Sequence, residues 1–158
     1  MVDERNASKG AVVITGASTG IGMACAFHLD RLGFQVFAGI RKESDGRALK
    51  ERSEGRIATL LIEVADSASV SAAADRVSRA VGNAGLSGLV NNAGIAVGGP
   101  LEFLPLSDLR RQFEVNVLGQ IAVTQAFLPL LRLARGRIVN MGSIAGRAAV
   151  PFIGPYSA

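Results

Sequence analysis

Apolar and polar positions alternate in blocks along this chain, with short β-branched runs separated by stretches of helical period. Ala11–Thr15 (AVVIT) reads as a buried strand. Gly16, Gly20 and Gly22 follow in a tight cluster, and from Ile21 onward the apolar residues Ile21, Cys25, Leu29 and Leu32 fall at helical spacing until Gly33 stops the pattern. Gln35–Ile40 is a second apolar strand. Glu43–Ser53 is a polar helix, with Gly55 beyond its end, and Ile57–Val64 is a third strand. Asp66-Ser67 offers N-cap chemistry for a helix over Ala68–Val81, which Gly82 ends. Leu86–Asn91 is a fourth strand. After a Gly/Pro-rich loop over Ile95–Leu106, Ser107 is placed to cap a long helix through Leu133. Gly136 ends that helix, Arg137–Met141 is a fifth strand, and Gly142–Ala158 is a small-residue loop closing on a helix start.

Strands alternate with helices and no two strands are joined by a hairpin turn. This predicts right-handed βαβ crossovers and an α/β fold with a doubly wound parallel sheet of five strands, Rossmann-like, forming one domain over residues 1–158. Ligands of such sheets bind over the carboxyl ends of the strands. Gly16, Asn91 and Ser143 all lie at or just after strand ends and so gather on one edge. The first strand, its glycine turn and its helix aim backbone N–H groups and a positive dipole end at whatever sits over the turn, which suits a phosphate. Glycines let the backbone approach a pyrophosphate closely.

Composition narrows this picture. The chain has 158 residues, nearly half of them apolar, and a net charge of +4. That is enough apolar material for a core and speaks against disorder. Arg31, Arg41, Lys42, Arg47, Lys50 and Arg52 are scattered instead of forming a stripe interleaved with aromatics, so no nucleic-acid partner is expected. The single cysteine, Cys25, reads as core packing and permits no internal disulfide. No metal-ligating cluster is expected, and His28 has no partner motif. The opening MVDERNASKG has no apolar signal segment, and no run approaches the length of a membrane span. A cytoplasmic setting without membrane contact is therefore the default expectation.

Five motifs give a more specific reading. Thr15-Gly16, three residues, then Gly20-Ile21-Gly22 resembles the TGxxxGxG loop of the short-chain dehydrogenase/reductase family. Asn91-Asn92-Ala93-Gly94 resembles its NNAG, and Asn116-Val117-Leu118-Gly119 its NVxG. Gly142-Ser143-Ile144-Ala145-Gly146 resembles the SSxxG element, and Tyr156-Ser157-Ala158 the start of YxxxK. Ser143 and Tyr156 stand thirteen positions apart, as in the family. Taken singly, each residue has an ordinary reading: a packed tyrosine, a surface amide, a serine in a turn. The joint order and spacing carry the resemblance.

The resemblance implies an NAD(P)-dependent oxidoreductase that moves hydride between nicotinamide and an alcohol or ketone. A phenol titrates near 10, so as a base it needs its anion stabilised. In the family, a lysine four residues past the tyrosine and the oxidised nicotinamide do this. Tyr156 is then the acid/base, Ser143 holds the substrate oxygen, and Asn116 sits in a locally disturbed helix and anchors a proton-relaying water. The implied cofactor-binding residues are Gly16, Ser18, Thr19, Gly20, Ile21 and Gly22 of the loop, Glu63 and Val64, and Asn92, Ala93 and Gly94. Glu63 stands where the family usually has an Asp that contacts adenine.

At the end of the second strand, a carboxylate would bind the ribose 2′-hydroxyl of NAD and an arginine the 2′-phosphate of NADP. This chain has Ile40, Arg41 and Lys42 there, which favours NADP through Arg41, with NAD as the alternative. The chain ends two positions short of the family's lysine, so little turnover is expected of it as it stands. A truncated form is expected over a naturally short protein, because the fifth strand would otherwise be an exposed apolar edge. A homo-oligomer is expected for the full-length form. Two function classes stay open: an oxidoreductase of which this is the cofactor-binding portion, and a dinucleotide-binding or regulatory module without turnover.

Overall fold

The computed structural model describes residues 9–148 and 150–158. Five parallel strands form one sheet in the order β3-β2-β1-β4-β5. They are β1 (Ala11–Ile14), β2 (Gln35–Ile40), β3 (Ile57–Leu61), β4 (Gly88–Asn91) and β5 (Arg137–Asn140). The order steps outward from β1 to β3 and then restarts on the other side of β1 with β4. A crevice therefore opens where the chain leaves the carboxyl ends of β1 and β4. Val12, Val13 and Ile14 pair with Val36, Phe37 and Ala38 on one side and with Gly88, Leu89 and Val90 on the other.

The period of two along β1 and β2 distributes side chains to two cores. Val12, Ile14, Val36, Ala38 and Ile40 point to one face, where α1 (Gly20–Arg31) and α2 (Gly46–Glu51) contribute Ala26, Phe27 and Leu49. Ala11, Val13, Phe37 and Leu89 point to the other. There α3 (Ser67–Val81) contributes Val70, Ala73 and Val77, and α5 (Gly119–Ala134) contributes Val123, Phe127, Leu130 and Leu131. β5 is the edge strand anticipated from the sequence: all four of its residues are exposed, Ile138 and Val139 among them.

Three sequence expectations need correction. First, α1 does not bury the stripe Ile21, Cys25, Leu29 and Leu32. Ile21 is 61% exposed and Leu32 is exposed too, while Gly22, Ala26, Phe27 and Asp30 are buried. The small residues at 22 and 26 let the helix approach the sheet, which rotates the larger apolar side chains to its flanks. Cys25 and Leu29 end up half-buried against the core. Second, Ser107 does not cap the long helix. α4 (Leu106–Phe113) begins at Pro105, whose carbonyl accepts the Asp108 N–H at 3.0 Å, and no side chain caps it. Third, the helical stretch Leu106–Ala134 is continuous enough in length and apolarity to pass as a membrane-crossing segment. Its sheet-facing side nevertheless packs Val123, Phe127, Leu130 and Leu131 into the core, as a layer helix of an α/β sheet does.

Asp30 is the buried charge that the apolar pattern did not reveal. It is 1% exposed, and its carboxylate accepts from Ser53 Oγ at 2.9 Å, from Glu54 N at 2.7 Å and from Arg56 N at 3.2 Å. These bonds tie the end of α1 to the turn entering β3. Asp30→Ala leaves two main-chain donors without a partner and is expected to lower the free energy of unfolding by about 2–4 kcal/mol. Urea denaturation checks it, and a change below about 0.5 kcal/mol would remove this anchor from the account.

Candidate functional site

The crevice is built from the ends of β1 and β4. Beyond β1 the chain turns at Gly16, whose φ of +64° is strained for any side chain, and a Cβ there would lie 2.8 Å from Ala93 Cα. Gly22 is buried in the first turn of α1, where a Cβ would overlap the Gly16 carbonyl oxygen and the Asn92 amide. No side chain caps the start of α1 at Thr19, and its first turn carries no acidic residue. Its leading N–H groups and positive dipole end thus face the crevice without a built-in anion.

The sequence-derived site residues divide between two adjoining cavities. One, of about 360 Å³, is lined by Gly16, Ser18, Thr19, Arg41, Glu63 and Val64, together with Ile40. The Glu63 N–H donates to Ser69 Oγ at 2.9 Å, which fixes the backbone at this corner, and Val64 is buried. The other cavity, of about 570 Å³, is lined by Ile21, Asn116, Ser143 and Tyr156. Asn92, Ala93 and Gly94 form the wall common to both. Gly20 and Gly22 line neither cavity. Gly22 serves the packing of helix on loop, and Gly20, at φ +56°, serves the turn itself.

Asn116 lies within a π-helical stretch, Glu114–Leu118, between α4 and α5, matching the local disturbance expected there. Its side chain pairs with the main chain of Ile95: Oδ1 accepts from Ile95 N at 2.8 Å and Nδ2 donates to Ile95 O at 2.7 Å. The amide is therefore engaged with the loop that leaves β4, holding that loop against the helix. Ser143 caps the short 3₁₀ turn Ile144–Gly146, its Oγ accepting from Ala145 N at 3.1 Å. That leaves its hydroxyl proton to be donated into the cavity. Tyr156 is half-buried in α6 (Gly154–Ser157), whose first turn is closed by the Tyr156 N–H donating to Ile153 O at 3.0 Å.

Thr15 and Asn91 fall within the sequence motifs without a role assigned to them, and Arg111 and Gln112 escape sequence reasoning altogether. Thr15 Oγ1 accepts the main-chain N–H groups of Asn92 and Ala93, both at 3.0 Å. Asn91 Nδ2 donates to Thr124 Oγ1 and to Asn140 Oδ1, both at 2.9 Å. Arg111 joins the smaller cavity and Gln112 the larger. A polar residue at the end of an apolar run was the available signal for Thr15 and Asn91. Nothing local marks Arg111 or Gln112. Among the described residues, no cluster of His, Cys, Asp or Glu is placed to hold a metal ion.

Because Gly22 meets the Gly16 carbonyl, Gly22→Ala forces α1 away from the glycine turn. The variant is expected to lose about 1–3 kcal/mol of stability. Thermal and urea unfolding check this, and a neutral outcome would mean that the loop yields where the packing shows no room.

Comparison with known proteins agrees with this geometry. The chain is 44% identical to retinol dehydrogenase 5 of Mus musculus over 144 residues, covering 90% of this chain and 45% of that protein. It is 37% identical over 150 residues to the NADPH-dependent 3-dehydrocapnine reductase of Ornithobacterium rhinotracheale, covering 92% of this chain and 53% of that one. The chain thus spans about half the length of the curated relatives it matches. Among solved structures, a gluconate 5-dehydrogenase from Burkholderia cenocepacia J2315, in complex with NADP and tartrate, superposes with a TM-score of 0.85 at 31% identity. That match covers 96% of this chain and 60% of the other. The short chain dehydrogenase family matches residues 10–158, and the chain belongs to that family.

Proposed function

We propose that this chain carries the cofactor-binding and acid/base portion of an NADP(H)-dependent oxidoreductase acting on an alcohol or ketone. The observation that carries the reading is the meeting of Asn116, Ser143 and Tyr156 around one cavity that shares the Asn92–Gly94 wall with the glycine-turn cavity. Gly16, which has no room for a Cβ, and the uncapped start of α1 suit the pyrophosphate. Glu63 and Val64 suit the adenine end. Arg41, exposed at the end of β2 beside the apolar Ile40, suits a 2′-phosphate. The names of the two NADP-linked relatives support the same preference. When bound, the nicotinamide supplies the hydride donor or acceptor.

The chain's own residues supply the rest. The Tyr156 hydroxyl exchanges a proton with the substrate oxygen, and the Ser143 hydroxyl donates a hydrogen bond to that oxygen as charge develops on it. Asn116 keeps the Ile95 loop in place and so shapes the wall that the substrate meets. Assembly of the whole enzyme as a homo-oligomer belongs to the same reading, supported by Val117, Leu118 and Ile121 lying exposed along the long helix.

Two experiments bear on this reading. In the active enzyme, Tyr156→Phe is expected to lower kcat by about 10²–10⁴ fold with NADPH affinity unchanged, measured as NADPH oxidation against a panel of ketones and aldehydes. Retained turnover would take the acid/base role away from Tyr156. The double change Ile40→Asp, Arg41→Ala removes a phosphate partner and adds a ribose acceptor. It is expected to shift the ratio of NADP to NAD dissociation constants at least about tenfold toward NAD. A fixed ratio, measured by calorimetric titration, would end the assignment of Arg41.

A further inference from the structure

Gln112 sits in α4, one turn before Asn116, and its side chain is only 2% exposed. Its amide bridges two segments far apart in sequence. Oε1 accepts from Val97 N at 2.6 Å, and Nε2 donates to Pro155 O at 2.5 Å. Val97 belongs to the loop leaving β4, and Pro155 immediately precedes Tyr156. A second link lies alongside, the Gly99 N–H donating to Phe152 O at 2.6 Å. The loop that walls the larger cavity and the segment that presents the phenol are thus joined at two points. One of these points is a buried amide with both of its ends in use. A buried amide is costly unless paired, so the two short bonds fix both segments relative to α4.

We propose that Gln112 is a positioning residue for the reaction: it holds the Tyr156 segment and the 95–99 loop as one unit, so that phenol and cavity wall keep a fixed relation. This rests on the reading of Tyr156 as the acid/base. Proton transfer to a bound oxygen needs the donor within hydrogen-bond reach, and small displacements of a reacting group are expensive in rate. Gln112 touches neither reacting atom. Its effect runs through the carbonyl one residue before the tyrosine. An amide that only stabilised the fold would change melting without singling out the chemical step.

The test uses the active enzyme and Gln112→Met, which keeps the length of the side chain and removes both bonds. The expected result is a fall in kcat of about tenfold, with the NADPH dissociation constant within about twofold of the parent, together with faster hydrogen exchange at the Val97 amide. Gln112→Glu keeps an acceptor for Val97 in either protonation state and should restore that protection. Unchanged kcat in Gln112→Met, with Tyr156→Phe inactive in parallel, overturns the positioning role while leaving the reading of Tyr156 intact. Turnover retained by Tyr156→Phe overturns the underlying reading instead. Should Gln112→Met fail to fold, the Val97 amide of the parent decides: exchange as slow as that of α4 supports the bracket, and exchange at the rate of a free loop amide overturns it.

Discussion

The Thr15 hydroxyl accepts the N–H groups of Asn92 and Ala93, and Asn92 Nδ2 donates back to the carbonyls of Thr15 at 3.0 Å and Gly16 at 2.9 Å. This reciprocal stitch sits where the sheet most needs one. β1 and β4 are neighbours in the sheet, yet their chains part at the carboxyl edge, one into the glycine turn and the other into the loop over the larger cavity. Main-chain groups leaving a sheet lose their ladder partners, and unpaired they would be costly in this buried corner. The stitch satisfies four of them with two side chains. It also brings Ala93 so close to Gly16 that no Cβ fits between them. The glycine at 16 is thus demanded by the neighbouring loop as well as by its φ angle, before any ligand is considered.

A second pairing extends this frame to the helices. Asn116 meets Ile95 as one strand meets another, through one donated and one accepted bond, although it belongs to a helix. The π stretch places it there, and its C-terminal neighbour Gly119 allows the helix to approach Val64, whose carbonyl oxygen would lie 2.9 Å from a Cβ at that position. The helix is therefore pinned to the loops after β3 and β4 together. Those loops wall the two cavities, so the helix sets the distance between the two ends of the crevice. Long insertions elsewhere would be tolerated more easily than one residue added between Phe113 and Gly119.

The sequence revealed the parts of this arrangement that are local. β2 has the bounds read from its apolar run, and Asp66 caps α3 by accepting from Ala68 N and Ser69 N as its position implied. The other strands are shorter than their apolar runs; past the end of β3, for example, the Glu63 N–H turns to Ser69 Oγ instead of a ladder partner. The buried face of α1 differs from its stripe of large apolar residues because two small residues, Gly22 and Ala26, govern its approach, and a count of large side chains overlooks them. The motifs named Asn116, Ser143 and Tyr156, but not the groups that hold them. Gln112 looks like any polar residue on a helix. Only the tertiary fold brings Val97 and Pro155 to its two ends, and no periodicity encodes that.

The two cavities also differ in charge, and the difference bears on chemistry. The smaller one gathers Arg41 and Arg111, the positive end of α1 and a single carboxylate, Glu63, so its field favours a polyanion. Among the described residues no charged side chain lines the larger one; its polar groups are amides, hydroxyls and main chain around Tyr156 and Ser143. Under the proposed reading, the anionic part of the cofactor is bound where positive charge is concentrated. What the described residues fix at the larger cavity is the position of one phenol and one hydroxyl, the first through the bond of Gln112 to the Pro155 carbonyl and the second through the 3₁₀ turn after Ser143.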